Sequence, residues 1–187
     1  MKTGIILYGP PASGKDTITA ALIEQDPRLA QFARLKIGGG RSQGYRMGTP
    51  GQLRQLEASG GVIYRNDRYS NIYLIDRPGL DAVFAAGRTP IIHLGQIAGI
   101  GALTTGYPAS WLTVQLSCPR RVTEQRSVLR GDTDTPARLA AWDATEADVL
   151  AHPSVGWDLR LRTDRQSIEE SAQVISEALK PADEPAF

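Results

Sequence analysis

Residues 9–15 read Gly9-Pro10-Pro11-Ala12-Ser13-Gly14-Lys15 and satisfy G-x-x-x-x-G-K. The apolar run GIILYG leads into them and the helical pattern DTITAALIEQ follows, which is the strand–loop–helix setting a phosphate-binding loop requires. The chemistry of such a loop is anion binding. Its backbone N–H groups turn inward around a β-phosphate, the helix start adds partial positive charge, and Lys15 bridges β- and γ-oxygens as charge moves during transfer. Gly9, Pro10, Pro11, Ala12, Ser13, Gly14, Lys15, Asp16 and Thr17 are the candidate donor-binding residues, with ATP and Mg²⁺ as the implied cofactors. A hydroxyl usually follows the lysine to ligate the metal, whereas here Asp16 does and Thr17 comes next. The metal contact is open between Asp16, Thr17 and water, and the helix dipole by itself also accounts for an acid in the first turn.

Further chemistry-bearing residues lie downstream. His93 and Gln96 stand at the carboxyl end of TPIIHLGQ, the edge at which open α/β sheets bind ligands. His93 is a candidate to orient an acceptor or take its proton, against the plainer reading of a strand histidine satisfied by backbone. Arg65, Asn66, Asp67 and Arg68 form a polar cluster that either lines an acceptor pocket or is a solvated loop. His152 before Pro153 reads as surface, and Cys118, the one cysteine, as a buried inert thiol in an apolar run.

These residues need rigid supports, and the periodicity supplies them. Short apolar runs at GIILYG, GGVIYRN, NIYLI, TPIIHLG, WLTVQLSCP and WDLRLRT read as strands. Helical patterns cover DTITAALIEQ, TPGQLRQLEASG with Thr49 as cap, RPGLDAVFAAG ended by Gly87, RRVTEQRSVLRG, TDTPARLAAWDATEADVLAH capped near Thr135, and SIEESAQVISEALK. GIGALTTGYPAS reads as a connection between strands. Alternation of this kind implies βαβ units: an α/β fold with a five-stranded, mostly parallel sheet flanked by helices.

With 187 residues the chain fits one domain. A net charge of +1 gives no global basic field, so nucleic acid is not an expected partner, and neither is a membrane. No stretch reaches the roughly 20 apolar residues of a membrane span, and Met1-Lys2-Thr3 leads straight into the first strand. The expectation is a soluble, cytoplasmic protein, and the oligomeric state is unreadable.

GPPASGKDT resembles the phosphate loop of the nucleoside monophosphate kinases, and no N-K-x-D guanine-reading motif of the GTPases is present. GGVIYRNDRYSNIYLI resembles the guanylate kinase segment G-x-F-L-E-W-x-x-x-x-G-N-x-Y-G, with Gly60, Asn71 and Tyr73 on its glycine, asparagine and tyrosine. RSVLRGDTD is similar to the lid pattern R-L-x-x-R-G-T-[DE], placing Arg126 and Arg130 on its arginines, and Arg138-Leu139 resembles the pair in the helix that follows. The resemblance implies a P-loop kinase with an acceptor-binding insertion over about 37–75 and an arginine lid over about 126–138.

By that resemblance Lys15, Arg126, Arg130 and Arg138 are the catalytic set, since arginines on a closing segment can neutralise the transferring group. Arg120 and Arg121 read instead as solvated. Arg46 and Tyr73 would grip the acceptor's phosphate, Arg41 sits near the place of a second arginine, and Tyr64, Asn71, His93 and Gln96 complete the substrate set. Tyr64 occupies the place of the family's guanine-reading glutamate, and IIHLGQIAG replaces its D-I-D-x-Q-G strand end. Guanine specificity therefore does not carry over.

The implied activity is transfer of the γ-phosphoryl group of ATP to a small phosphorylated acceptor. A nucleoside monophosphate comes first and a sugar phosphate second, because Asp16 and the turn around Asn71 are also similar to the ribose 1,5-bisphosphate phosphokinases. A non-catalytic nucleotide-binding module is the rival from another class.

Overall fold

The computed structural model describes residues 2–40, 42–68 and 70–179. Its centre is β1 (Thr3–Tyr8), in which Ile5, Ile6, Leu7 and Tyr8 are fully buried. A strand can be apolar on both faces only where helices cover both, and that is its situation. β2 (Leu29–Gln31), β7 (Thr89–Leu94), β8 (Ser110–Ser117) and β9 (Leu159–Arg162) join it in the order β2-β7-β1-β8-β9. Every pairing is parallel.

One face packs on α1 (Lys15–Gln25) and α7 (Ile168–Leu179) through Ile18, Leu22, Ala172 and Ile175. The other packs on α3 (Arg77–Ala85) and α4 (Ile97–Gly106) through Leu80, Ile100 and Leu103. α5 (Arg120–Leu129) and α6 (Thr135–Ala151) follow β8, and Trp142 ties α6 back by donating to the carbonyl of Cys118 at 2.9 Å. Cys118 is buried. Among the described residues no helix is long and apolar enough to cross a membrane.

A second sheet, in the order β4-β3-β6-β5, carries the insertion: β3 (Arg34–Ile37), β4 (Tyr45–Gly48), β5 (Val62–Arg68) and β6 (Asn71–Asp76), with α2 (Pro50–Ala58) between β4 and β5. Thr49 caps α2 through a reciprocal box with Gln52, and Pro50 starts it. Leu35, Ile37, Leu53 and Leu74 form its small core.

Two sequence expectations need correction. GIGALTTGYPAS is not a connection: residues 97–106 form α4, whose glycines mask the helical pattern because they contribute no apolar stripe. Gly99 is there for close packing, since an added Cβ would lie 2.9 Å from Leu94 and 3.0 Å from Tyr64. The insertion also begins earlier than expected, because β3 starts at Arg34.

Candidate functional site

The loop between β1 and α1 holds its shape through left-handed backbone at Ala12 (φ 59°) and Gly14 (φ 94°). A side chain at Gly9 would collide with the carbonyl of Leu116 and with Ser13. The ammonium of Lys15 folds into the loop and donates to the carbonyls of Gly9 (2.6 Å) and Pro10 (2.7 Å), with Ser13 Oγ at 3.4 Å. Burial pulls its pKa down to about 8, the neighbouring charge of Asp16 opposing that shift. A cation held by carbonyl dipoles in a desolvated loop favours an incoming anion.

Lys15 and Pro11 lie on the wall between two cavities. On one side, a pocket of about 480 Å³ is lined by Ala12, Gly14, Asp16, Thr17, Arg126, Arg130 and Arg138, by Thr163 and Gln166 from the β9–α7 connection, and by Ile168 at the start of α7. Asp16 and Thr17 present oxygen donors suited to Mg²⁺. Thr17 Oγ1 gives its proton to the carbonyl of Gly14 at 2.9 Å, which leaves its lone pairs for a cation. Among the described residues no group of three or more His, Cys, Asp or Glu gathers as for a metal. A Mg²⁺ ion here would thus take most ligands from phosphate and water, its usual habit in nucleotide sites.

The three expected lid arginines reach this pocket in different ways. Arg126 spends its fork on structure, donating to the carbonyl of Ala12 (2.9 Å) and to Thr163 Oγ1 (3.1 Å) and carbonyl (2.6 Å). It clamps the phosphate loop to the β9–α7 connection. Arg130 and Arg138 share Asp132, at 3.1 and 3.2 Å, and Arg138 also meets Asp134 at 2.7 Å. The expected lid, residues 126–138, is the end of α5, a turn and the start of α6.

On the other side of Lys15, a cleft of about 200 Å³ runs between the two sheets and is lined by Gly9, Arg34, Tyr45, Asn66, Arg68, Tyr73, His93 and Gln96. Tyr45 and Tyr73 stand 5.3 Å apart, centroid to centroid, and the guanidinium of Arg34 lies 5.9 and 5.4 Å from their rings. Among the described residues, no carboxylate comes within ion-pair distance of Arg34. Its charge contributes to lowering the pKa of both Lys15 and His93. Gln96 Oε1 accepts from Asn66 Nδ2 (3.2 Å) and from Tyr64 OH (3.4 Å), so Tyr64 supports the cleft through an amide network. Burial raises the Tyr64 pKa, and the phenol stays neutral.

His93 contacts Thr19 Oγ1 at 2.7 Å and Asp16 Oδ1 at 3.4 Å. Burial lowers its pKa, with Asp16 opposing and the charges of Lys15 and Arg34 adding to the fall, so the ring is neutral. The alternative of a strand histidine satisfied by backbone is corrected, because both ring nitrogens face α1 side chains.

Two expected substrate residues are placed elsewhere. Arg46 turns away from the cleft: its Nε donates to the carbonyl of Ala33 at 2.8 Å, its guanidinium pairs with Asp76, and it stacks over Phe32. A buried carboxylate at that spot captures the nearest arginine, and no sequence spacing announces it. Asn71 packs against Gly38 at the end of the insertion sheet and does not line the cleft. Arg41 lies outside the described residues. Arg34 and Tyr45 line the cleft where Arg46 was expected, and the polar–apolar alternation of RLKI, with Leu35 and Ile37 in the core of the second sheet, was the available signal. Of the residues read as surface, Arg120 pairs with Asp143 in the open, and exposed His152 caps its own helix by contacting the carbonyl of Asp148 at 2.8 Å.

No protein-family model matches the chain, and no curated protein matches it in sequence. Among solved structures it is similar to the guanylate kinase from Anaplasma phagocytophilum, with a TM-score of 0.65 and 17% identity over 95% of this chain and 84% of that one. A parallel sheet covered by helices on both faces, a phosphate-loop motif after β1, a second sheet and an arginine-bearing α5–α6 turn carry the same conclusion, that this chain has the fold of the guanylate kinase-like P-loop kinases.

Proposed function

We propose that this protein is an ATP-dependent kinase that transfers the γ-phosphoryl group to a small phosphorylated acceptor. The observation that carries the reading is the position of Lys15, which lines both the donor pocket and the acceptor cleft. One ammonium can then contact the transferring group from either side and follow its charge across. The loop amides and Lys15 hold the triphosphate, and Asp16 and Thr17 would hold a Mg²⁺ ion, which would supply positive charge to the phosphates. Arg130 and Arg138 exchange carboxylates for phosphate oxygens, and Arg126 keeps the loop in place.

Arg34, Tyr45 and Tyr73 grip the acceptor's phosphate, because guanidinium and phenol groups make charge-assisted bonds to phosphate oxygens. The sugar-phosphate alternative gains from the cleft itself: about 200 Å³ is below the 300 Å³ at which ligand sites usually begin. The far wall of Asn66 and Gln96, backed by Tyr64, also offers neutral amides where a guanine reader would need a carboxylate. A non-catalytic binding module would gain little from lid arginines that matter only in a transition state.

The test is ATP consumption against a panel of nucleoside monophosphates, sugar phosphates and small hydroxylated metabolites, run beside Lys15→Ala. The expected result is turnover with one acceptor class and none in the variant, whose circular dichroism matches the parent. No turnover with any member, despite tight Mg·ATP binding, would instead support the binding module.

A further inference from the structure

His93 belongs to the acceptor cleft and Asp16 to the donor pocket, yet the two side chains meet. Asp16 and Thr19 are three residues apart on α1 and so share one helix face. The imidazole of His93, projecting from the end of β7, lies between both: Nε2 is in hydrogen-bond range of Thr19 Oγ1 at 2.7 Å, and Nδ1 makes a longer electrostatic contact with Asp16 Oδ1 at 3.4 Å. A charged imidazole carries a hydrogen on both nitrogens, Nδ1 included, while a neutral one has a single proton to place. With the proton on Nε2, the lone pair of Nδ1 would face a carboxylate oxygen and repel it. With the proton on Nδ1, the ring accepts from the Thr19 hydroxyl and points an N–H dipole at Asp16. Electrostatics therefore selects the Nδ1–H tautomer.

Thr19 is 1% exposed and the His93 side chain 14%, so the ring is locked by its surroundings, while the Asp16 side chain is 84% exposed. An exposed aspartate would ordinarily sample several rotamers. Here a fixed dipole from a rigid strand biases it toward one.

We propose that His93 is the positioning residue for Asp16: its Nδ1–H sets the carboxylate toward the donor pocket as a direct or water-mediated ligand of the nucleotide's divalent cation. Thr19 sets the tautomer that makes this work. The inference rests on the kinase reading above, and it assigns His93 to the donor metal as well as to the acceptor cleft. Outer-shell partners of metal ligands typically change affinity 10- to 100-fold when removed.

Mn²⁺ binding is measured by electron paramagnetic resonance in the presence of a non-hydrolysable ATP analogue, and binding of the analogue alone by calorimetry in chelator. For His93→Leu the expected result is Mn²⁺ binding weakened about 10-fold with metal-free analogue binding unchanged. Asp16→Asn should lose at least as much, the double variant no more than Asp16→Asn, and His93→Asn, which keeps an N–H donor, should recover most of the loss. Parental Mn²⁺ affinity in His93→Leu, or a further loss on adding it to Asp16→Asn, overturns the positioning role alone. Failure of the parent protein to bind the analogue at all overturns the kinase reading, and this one with it.

Discussion

The guanidinium of Arg46 closes on the carboxylate of Asp76, and the same carboxylate accepts the backbone N–H of Gly79 at 2.8 Å. One acid, 2% exposed at its side chain, thus caps α3 and fastens β4 to it. Gly79 fits this arrangement because the Arg46 guanidinium occupies the space a Cβ would need.

Arg46→Ala leaves that buried carboxylate without its cation, and breaking such a pair costs on the order of 3 kcal/mol. A fall in urea midpoint of matching size is expected, with the acceptor KM little changed below the melting range. A raised KM at unchanged stability would return Arg46 to the acceptor site.

Arg34 makes the opposite case. Its half-buried charge faces the cleft, lies near two tyrosine rings and helps lower the pKa of Lys15 and His93. Arg34→Met should raise the acceptor KM about 10-fold or more, since a charge-assisted hydrogen bond is worth roughly 1.5–3 kcal/mol. The donor KM should stay the same, and stability should change little, because Arg34 pairs with no carboxylate among the described residues and methionine keeps an apolar contact with the two rings. Steady-state kinetics with each substrate varied in turn, beside thermal melts, separates these effects.

How far the sequence reached follows from the range of its signals. The phosphate loop was legible because motif, preceding strand and following helix are contiguous, and the parallel sheet because buried strands read as continuous apolar runs, as in Ile5–Tyr8. α4 was missed where three glycines break the helical stripe. Which arginine faces the cleft, Arg34 or Arg46, is decided by Asp76, thirty positions from Arg46. The link from Asp16 to His93 spans α1 and β7 and has no local signature. The β9–α7 connection joined the donor pocket in the same way, by tertiary placement alone.

The carboxylates around the lid give a further expectation. Asp132 holds Arg130 and Arg138 together, and a triphosphate must compete with it for both. Asp132→Asn removes that competition, so nucleotide should bind several-fold tighter by calorimetry, and hydrolysis of ATP without acceptor should rise as the arginines reach the phosphates unprompted. Equal or weaker binding would show that Asp132 shapes the lid and does not restrain it.

Lys15 offers a measurement by pH. Burial lowers its pKa from the ordinary 10.5 to about 8. Below pH 8 the lysine is charged both folded and unfolded and adds no slope. Between pH 8 and 10.5 the unfolded chain holds a proton the folded one has released, so the stability of the parent relative to Lys15→Met should rise with pH across that window. A triphosphate in the loop reverses the shift, because a nearby anion favours the charged ammonium. Binding of a metal-free nucleotide near pH 8.5 should therefore take up a fraction of a proton, read from the dependence of calorimetric enthalpy on the buffer's ionisation heat. The uptake should fade toward pH 6.5, where Lys15 is already protonated, and be absent in Lys15→Met. Equal proton uptake by parent and variant at pH 8.5 would mean that the phosphates do not reach Lys15.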